Sequence, residues 1–360
     1  MEDIYKINDG RVDLKSFNVN ELIEYIEKLG EKKFRAKQIY QWMNEKLVTD
    51  FDEMSNVPVK LLDKLKEDAY LMALEPIRVQ TSKIDGTQKY LFRLYDGNVI
   101  ESVLMKYHHG NSVCISSQVG CKMGCRFCAS TLDGCVRNLT PSEMLDQVYR
   151  IQTISGERVS NIVIMGSGEP MDNYDNVTKF LELINAKDGL NISLRNITVS
   201  TCGLVPKIKQ LADLKLQITL AISLHAPNDE LRKTMMPIAY KYSIAEIMDA
   251  CRYYLDITGR RISFEYSLVK GVNDTKECAN QLIELVRGLN CHINLIPVNP
   301  IKERDYEQSN KDAIMAFKNK LEKCGINVTI RREMGRDIDG ACGQLRKSYL
   351  EDSHESSSND

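Results

Sequence analysis

Three cysteines, Cys121, Cys125 and Cys128, stand in the spacing C-x3-C-x2-C. Thiolates so close in sequence can hold three corners of an iron–sulfur cluster. The next cysteine is Cys135, so no fourth ligand follows at matching spacing. A cluster with one unligated iron keeps an open coordination site. Such an iron can bind and activate a substrate, whereas a fully ligated one mainly passes electrons. The competing chemistry is zinc, held by the same cysteines with a fourth cysteine or a distant histidine such as His108 or His109. Structural zinc sites usually pair their cysteines as C-x2-C, which makes the spacing here unusual for them.

The elements that must position this centre follow from apolar patterning. Beyond Asn111, strand candidates at 112–117, 161–165, 196–200, 217–223, 261–268 and 292–296 alternate with helices at 142–154, 173–184, 244–255, 276–287 and 311–323. The first of these helices has a clear start, with Thr140 as N-cap, Pro141 at the first helical position and Glu143 closing a capping box. Six strand–helix units imply a parallel sheet of the α/β class. They are too few for a closed eight-fold barrel, so the expected fold is a partial, open (β/α)6 barrel. Residues 1–75 read as a small, mainly helical accessory domain, with an amphipathic helix at 18–29 and basic residues interleaved with Phe34, Tyr40 and Trp42 at 31–46. That pattern suits RNA contacts, and equally a solvated helix face. Connecting strands are expected at 76–110, the barrel with a catalytic C-terminal loop at 111–346, and a disordered tail at 347–360.

Polar motifs fall where the strands should end. The cysteine cluster follows the first strand and Gly166-Ser-Gly-Glu-Pro the second. The third ends in Ser200-Thr-Cys-Gly, the fourth in Ser223-Leu-His-Ala, and Pro297-Val-Asn-Pro follows the sixth. Barrels of this kind carry their active sites on that C-terminal face. Composition limits the setting. Eleven cysteines, an odd count, with no apolar signal segment argue for reduced thiols in the cytoplasm. No run is long enough to span a bilayer. A net charge of −2 argues against a generally basic RNA coat, so RNA would be met by local patches.

The cysteine spacing, with Phe127 before the last cysteine, resembles the radical S-adenosylmethionine (SAM) signature. The longer stretches Val113-Cys-Ile-Ser-Ser-Gln-Val-Gly-Cys, Met165-Gly-Ser-Gly-Glu-Pro, Val199-Ser-Thr-Cys-Gly-Leu-Val-Pro and Arg336-Asp-Ile-Asp-Gly-Ala-Cys-Gly-Gln-Leu resemble the radical SAM family of dual-specificity RNA methyltransferases. The resemblance covers nearly the whole chain. It implies a 4Fe–4S cluster on Cys121, Cys125 and Cys128. It implies SAM contacts from Gly168, Glu169, Ser200, Ser223, Leu224, His225 and Asn299. Cys342 matches a cysteine that becomes S-methylated, Cys114 its disulfide partner, and Glu101 the proton acceptor.

The implied reaction is methylation of adenine carbon 2 in 23S rRNA and tRNA. One SAM methylates Cys342, and a second is cleaved to a radical that activates the S-methyl group for addition to adenine. Glu101 then removes the carbon 2 proton, and Cys114 attacks the Cys342 sulfur to release the product. Arg331, Arg332, Arg336 and Arg346 are candidates for phosphate contacts, or for salt bridges with Glu333, Asp337 and Asp339. Cys135, Cys202, Cys251, Cys278, Cys291 and Cys324 read as structural. The expected partners are RNA and an electron donor such as flavodoxin or ferredoxin, with the enzyme a monomer. The rivals are a carbon 8 methyltransferase with the same cluster and cysteine pair, against which Glu101 argues, and a zinc-stabilised RNA-binding module.

Overall fold

The computed structural model describes residues 6–7, 9–108, 110–299, 305–338 and 343–357, with side chains up to Leu350. The N-terminal elements are β1 (Val12–Asp13), α1 (Val19–Lys28), α2 (Lys33–Asn44), α3 (Val59–Asp68) and β2 (Ala69–Tyr70), with β1 and β2 paired in parallel. Asn18 and Glu21 form a capping box that starts α1. The face thus set buries Leu22 and Ile26 with Ile39, Met43, Leu61 and Leu65 in a core separate from the rest.

Three strands come next, β3 (Glu75–Thr81), β4 (Gln88–Arg93) and β5 (Val99–Tyr107), followed by β6 (Gly110–Ile115). A short antiparallel pair, β7 (Gln118–Gly120) and β8 (Cys135–Asn138), closes the base of the loop that carries the three cysteines. The alternating part then runs α4 (Pro141–Ser155), β9 (Val159–Ile164), α5 (Tyr174–Ile184), β10 (Ile197–Thr201), α6 (Val205–Asp213), β11 (Thr219–Ser223), α7 (Asp229–Met235), α8 (Ile244–Thr258), β12 (Ile262–Leu268), α9 (Lys276–Val286), β13 (Cys291–Pro297), α10 (Lys311–Lys323), β14 (Val328–Ile330) and α11 (Gln344–Ser357).

Ten strands form one open sheet in the order β14-β13-β12-β11-β10-β9-β6-β5-β4-β3. From β6 to β14 the pairing is parallel, and from β6 to β3 it is antiparallel, so β6 is the junction. The six expected strand–helix units are all present. Val328–Ile330 adds a further parallel strand at the edge. The helices α6 and α7 were not anticipated.

The expectation of a disordered tail from residue 347 is corrected, because α11 runs through Ser357. Its first turns have something to bury: Leu345 packs on Leu91 and Val99, with Tyr349 and Leu350 alongside. Residues 358–360 lie outside the described residues.

The accessory elements dock on α4 through buried polar contacts. Lys15 Nζ lies 2.7 Å from Asp146 Oδ1 with both side chains 1% exposed. Asp146 Oδ2 accepts from the Leu74 amide at 2.7 Å, and Tyr149 donates to Asn44 at 2.8 Å. Among the described residues no helix is long and apolar enough to cross a membrane.

Candidate active site

The sheet's C-terminal rim builds one cavity of about 250 Å3. Its wall includes Cys121, Cys125 and Cys128 together with Gly168, Glu169, Ser200, Ser223, His225 and Asn299, which arrive from the ends of different strands. Leu224 is fully buried, but its carbonyl binds the Arg232 guanidinium instead of lining this cavity. The cysteine loop sits in its own apolar cluster with Met123, Met235, Met236, Val269 and Val298. Thr131 ties the loop by donating to the carbonyls of Cys125 and Cys128.

Burial pushes the Cys121 thiol up to about 12, and neighbouring Cys128 and Glu169 push the same way. Burial and then the other two cysteines push Cys125 well up also. Packed this way, the thiols keep their protons until a cation replaces them. Arg232, also buried, supplies a positive charge that acts on Cys125. Its Nη1 has no hydrogen-bond partner among the described residues, while its other nitrogens bind the carbonyls of Cys202, Ser223 and Leu224.

No three of the described Cys, His, Asp or Glu side chains are gathered as around a single ion. A cluster cube takes one thiolate per iron corner, so its ligands stand wider apart than those of one zinc. Three cysteines on one wall, with a buried cation behind them, fit the cube. His108 lines neither this cavity nor its neighbour, and His109 lies outside the described residues.

The opposite wall is polar and tightly held. Glu169 is buried, and its carboxylate accepts from the amides of Met171 at 3.0 Å and Cys202 at 2.7 Å. Burial nevertheless pushes its carboxyl above the usual range. Gly168 has φ +108, and a Cβ there would meet Gln118 at 2.7 Å, so only glycine fits. His225 also has positive φ, at 57°. Its Nδ1 accepts from the Ser267 amide at 3.0 Å, and burial pushes its pKa down to about 3. The ring is therefore neutral, with its N–H on Nε2. It meets Phe127 edge-on, with centroids 4.6 Å apart. Asn273 fixes the turn by donating to the carbonyls of His225 at 2.7 Å and Ser267 at 2.6 Å.

A second cavity, of about 320 Å3, shares Ile296, Asn299 and Arg331 with the first. Cys114 lines it beside Val103, Met105, Arg332, Met334 and Arg336. Cys114 lies opposite Val103 in the β5–β6 register, and Glu101 is two residues before Val103 on the same strand. Glu101 thus projects on the face that carries Cys114. Its Oε2 accepts from the Gly343 amide at 2.7 Å and its Oε1 from the Arg346 amide at 2.5 Å. Cys342 lies outside the described residues. Gly343, which follows it, packs close to Ala129 and Ser130, just past the last cysteine of the cluster loop: an added Cβ would meet the Ser130 amide nitrogen at 2.9 Å.

The arginines divide. Arg331 lines both cavities, whereas Arg336 pairs with Glu333, and Arg346 bonds the Val99 carbonyl at 3.1 Å. Asp337 binds Ser82 and Lys83 instead of an arginine, and Asp339 lies outside the described residues. Sequence reasoning missed Gln118, Arg232, Glu265 and Asn273. It also left Cys202 as structural, although Cys202 lines the cavity and bonds Glu169. Glu265 reaches the first cavity between Ser263 and Asn294, at 2.9 and 2.8 Å. Most of these side chains bond main-chain atoms, a role that leaves no spacing to read.

A cysteine loop at the C-terminal rim of an open parallel barrel, lining one cavity with Glu169, Ser200 and Ser223, defines a radical SAM protein, and comparison with known proteins agrees. The profile of the radical SAM superfamily matches residues 115–285, and that of the ribosomal RNA large subunit methyltransferase N-terminal domain matches 12–71. The chain belongs to the RlmN family of dual-specificity RNA methyltransferases. It is 76% identical over 344 residues to the probable dual-specificity RNA methyltransferase RlmN of Lachnospira eligens, covering 96% of this chain and 98% of that one. It is 63% identical to the corresponding protein of Lachnoclostridium phytofermentans, covering 95% and 96%. The crystal structure of a radical SAM methyltransferase from Sphaerobacter thermophilus superposes with a TM-score of 0.89 at 42% identity, covering 92% and 98%. A 4Fe–4S cluster and SAM are the cofactors of this superfamily.

Proposed function

We propose that this chain methylates carbon 2 of adenine in 23S rRNA and in tRNA, using Cys342 as methyl carrier, Cys114 as resolving thiol and Glu101 as proton acceptor. One observation carries the reading: Glu101 and Cys114 share a face of adjacent strands, and Glu101 holds the amide of the residue next to Cys342.

Adenine carbon 2 lies between two ring nitrogens and is too electron-poor to attack a SAM methyl group as a nucleophile. The cluster and SAM, when bound, supply the 5′-deoxyadenosyl radical that an unreactive carbon requires. Cys121, Cys125 and Cys128 hold the cluster. Gly168, Glu169, Ser200, Ser223, His225 and Asn299 hold SAM on the facing wall, where neutral His225 presents a donor and not a charge. Leu224 carries its neighbours into the wall. The cavity beside Cys114 takes the target nucleotide, turned out of its stack, and Arg331 reaches from one cavity to the other.

Cys342 delivers the methyl carbon and becomes bonded through it to adenine. Glu101 takes the carbon 2 proton while the odd electron of the adduct would pass to a one-electron acceptor, a role the cluster could fill. The Cys114 thiolate then attacks the Cys342 sulfur, leaving a disulfide, and the expelled methylene carbon takes up a proton to become the methyl group. That disulfide is reduced before the next turnover. A flavodoxin- or ferredoxin-type donor supplies the cluster with electrons, and the enzyme works as a cytoplasmic monomer.

The test is nucleoside mass spectrometry of RNA treated anaerobically with enzyme and SAM, alongside tryptic mapping of the Cys342 peptide. The expected results are 2-methyladenosine and one added methyl on Cys342. An 8-methyladenosine product would overturn the site selectivity, and an unmodified Cys342 would overturn the carrier mechanism.

A further inference from the structure

Lys89 has no place in the reaction as described, yet its position is unusual. It lies on β4 directly opposite Val103 of β5, and Val103 lies opposite Cys114 of β6. Lys89, Glu101 and Cys114 therefore face the same side of the sheet. The lysine is 0% exposed. An ammonium taken out of water is costly unless it is paired, and Lys89 Nζ lies 3.2 Å from Glu101 Oε2.

The same carboxylate accepts from the Gly343 and Arg346 amides at the start of α11. A negative charge suits that position, since the first amides of a helix are unpaired and carry partial positive charge. Where other helices have a side-chain cap at the N-cap position it is local and neutral, as Asn18 is for α1 and Thr140 for α4. Here the cap is a carboxylate from a distant strand, with the buried Lys89 Nζ 3.2 Å from it. Arg346 then reaches back to the Val99 carbonyl on the same strand as Glu101. The beginning of α11 is thus pinned to β5, and β5 at that point is pinned to Lys89.

We propose that Lys89 is a positioning residue for Glu101: its buried charge fixes the carboxylate at the start of α11 and thereby fixes both the proton acceptor and the chain segment that leads out of Cys342. The proposal rests on Glu101 as the group that takes the adenine proton. Lys89 touches no reacting atom and acts only through Glu101.

The test uses reconstituted holoenzyme with Lys89→Met, Lys89→Arg and Glu101→Gln. Hydrogen–deuterium exchange of peptides spanning 343–350 reads the pinning without reference to activity. Anaerobic turnover with RNA reads the ratio of 5′-deoxyadenosine formed to methylated RNA released, and denaturing gels read covalent RNA–protein adduct. Lys89→Met is expected to speed exchange about tenfold at the start of α11. It is also expected to raise the ratio several-fold with adduct accumulating, and Lys89→Arg to restore most of both. Unchanged exchange and ratio in Lys89→Met would overturn the proposal. So would a parallel loss of 5′-deoxyadenosine and product that Lys89→Arg does not relieve, because that is the mark of a general structural defect. Normal turnover by Glu101→Gln would remove the reading of Glu101 as proton acceptor, and with it this role. Stalling of Glu101→Gln while Lys89→Met turns over normally would remove the role of Lys89 alone.

Discussion

Cys114 shows how packing can conceal chemistry at a single residue. It sits within an apolar strand, 5% exposed, where a cysteine is ordinarily a small core side chain. Its neighbours on the same face, and the cavity it lines, are what support the resolving role proposed for it. Replacing it with alanine is expected to leave methyl transfer to Cys342 intact and to stall the enzyme with RNA attached there. Free, fully methylated RNA at normal turnover would sink the resolving role. Gly168→Ala tests the other wall. Its Cβ would collide with Gln118 at a φ of +108, so SAM affinity is expected to fall at least tenfold while the cluster's absorbance persists. Equilibrium dialysis with SAM checks this. The cluster cysteines were legible because their spacing is itself the signal. Arg232 and Asn273 were not, because they serve carbonyl oxygens that every residue possesses.

Among elements, the five strands that end in polar motifs were legible because each couples an apolar run to a change in residue type. Val328–Ile330 escaped because three residues carry no period, and α7 because seven residues make barely two turns. The misread tail has a different cause. Past Leu350 the chain is polar and serine-rich, and among the described residues the apolar contacts that hold α11 to β4 and β5 come from its first turns. Helix α4 was foreseen from its cap, and the box between Thr140 and Glu143 is present. Removing the cap side chain with Thr140→Ala is expected to cost about 1 kcal/mol, measured as a shift in the chemical-denaturation midpoint. An unchanged midpoint would show that packing alone sets where the helix begins.

For the whole molecule, the join between the accessory elements and the barrel adds a pH-sensitive group of its own. Asp13 is buried and accepts from Ser16 at 2.8 Å and from Ser142. Burial pushes its carboxyl up to about 6, against the pull of those two bonds. An unfolded aspartate ionises near 3.8, so the folded form holds a proton that the unfolded form has lost between that value and about 6. The contribution is full below the unfolded value and is lost as pH rises through about 6, amounting to roughly 3 kcal/mol. Denaturation midpoints should therefore show Asp13→Asn gaining on the natural chain as pH climbs through this window. A constant difference would refute the assignment. Lys15→Met leaves Asp146 charged and buried without its ion-pair partner, and a loss of about 3–5 kcal/mol is expected in the same measurement.

The place of β6 as the junction between the two halves of the sheet bears on how the enzyme is reset. A thiol on a strand paired along both edges is held in place, so the proposed join with Cys342 has to be made at the wall where Cys114 stands. Thiol exchange requires the incoming sulfur to line up behind the one attacked, and the route to Cys114 runs through the cavity it lines beside Arg332 and Arg336. A reductant that clears the proposed disulfide therefore enters where the target nucleotide would enter, and only once that nucleotide has left. Excess RNA is therefore expected to slow re-reduction of the disulfide, read by timed peptide mapping of Cys114, and an unchanged rate would refute the shared route.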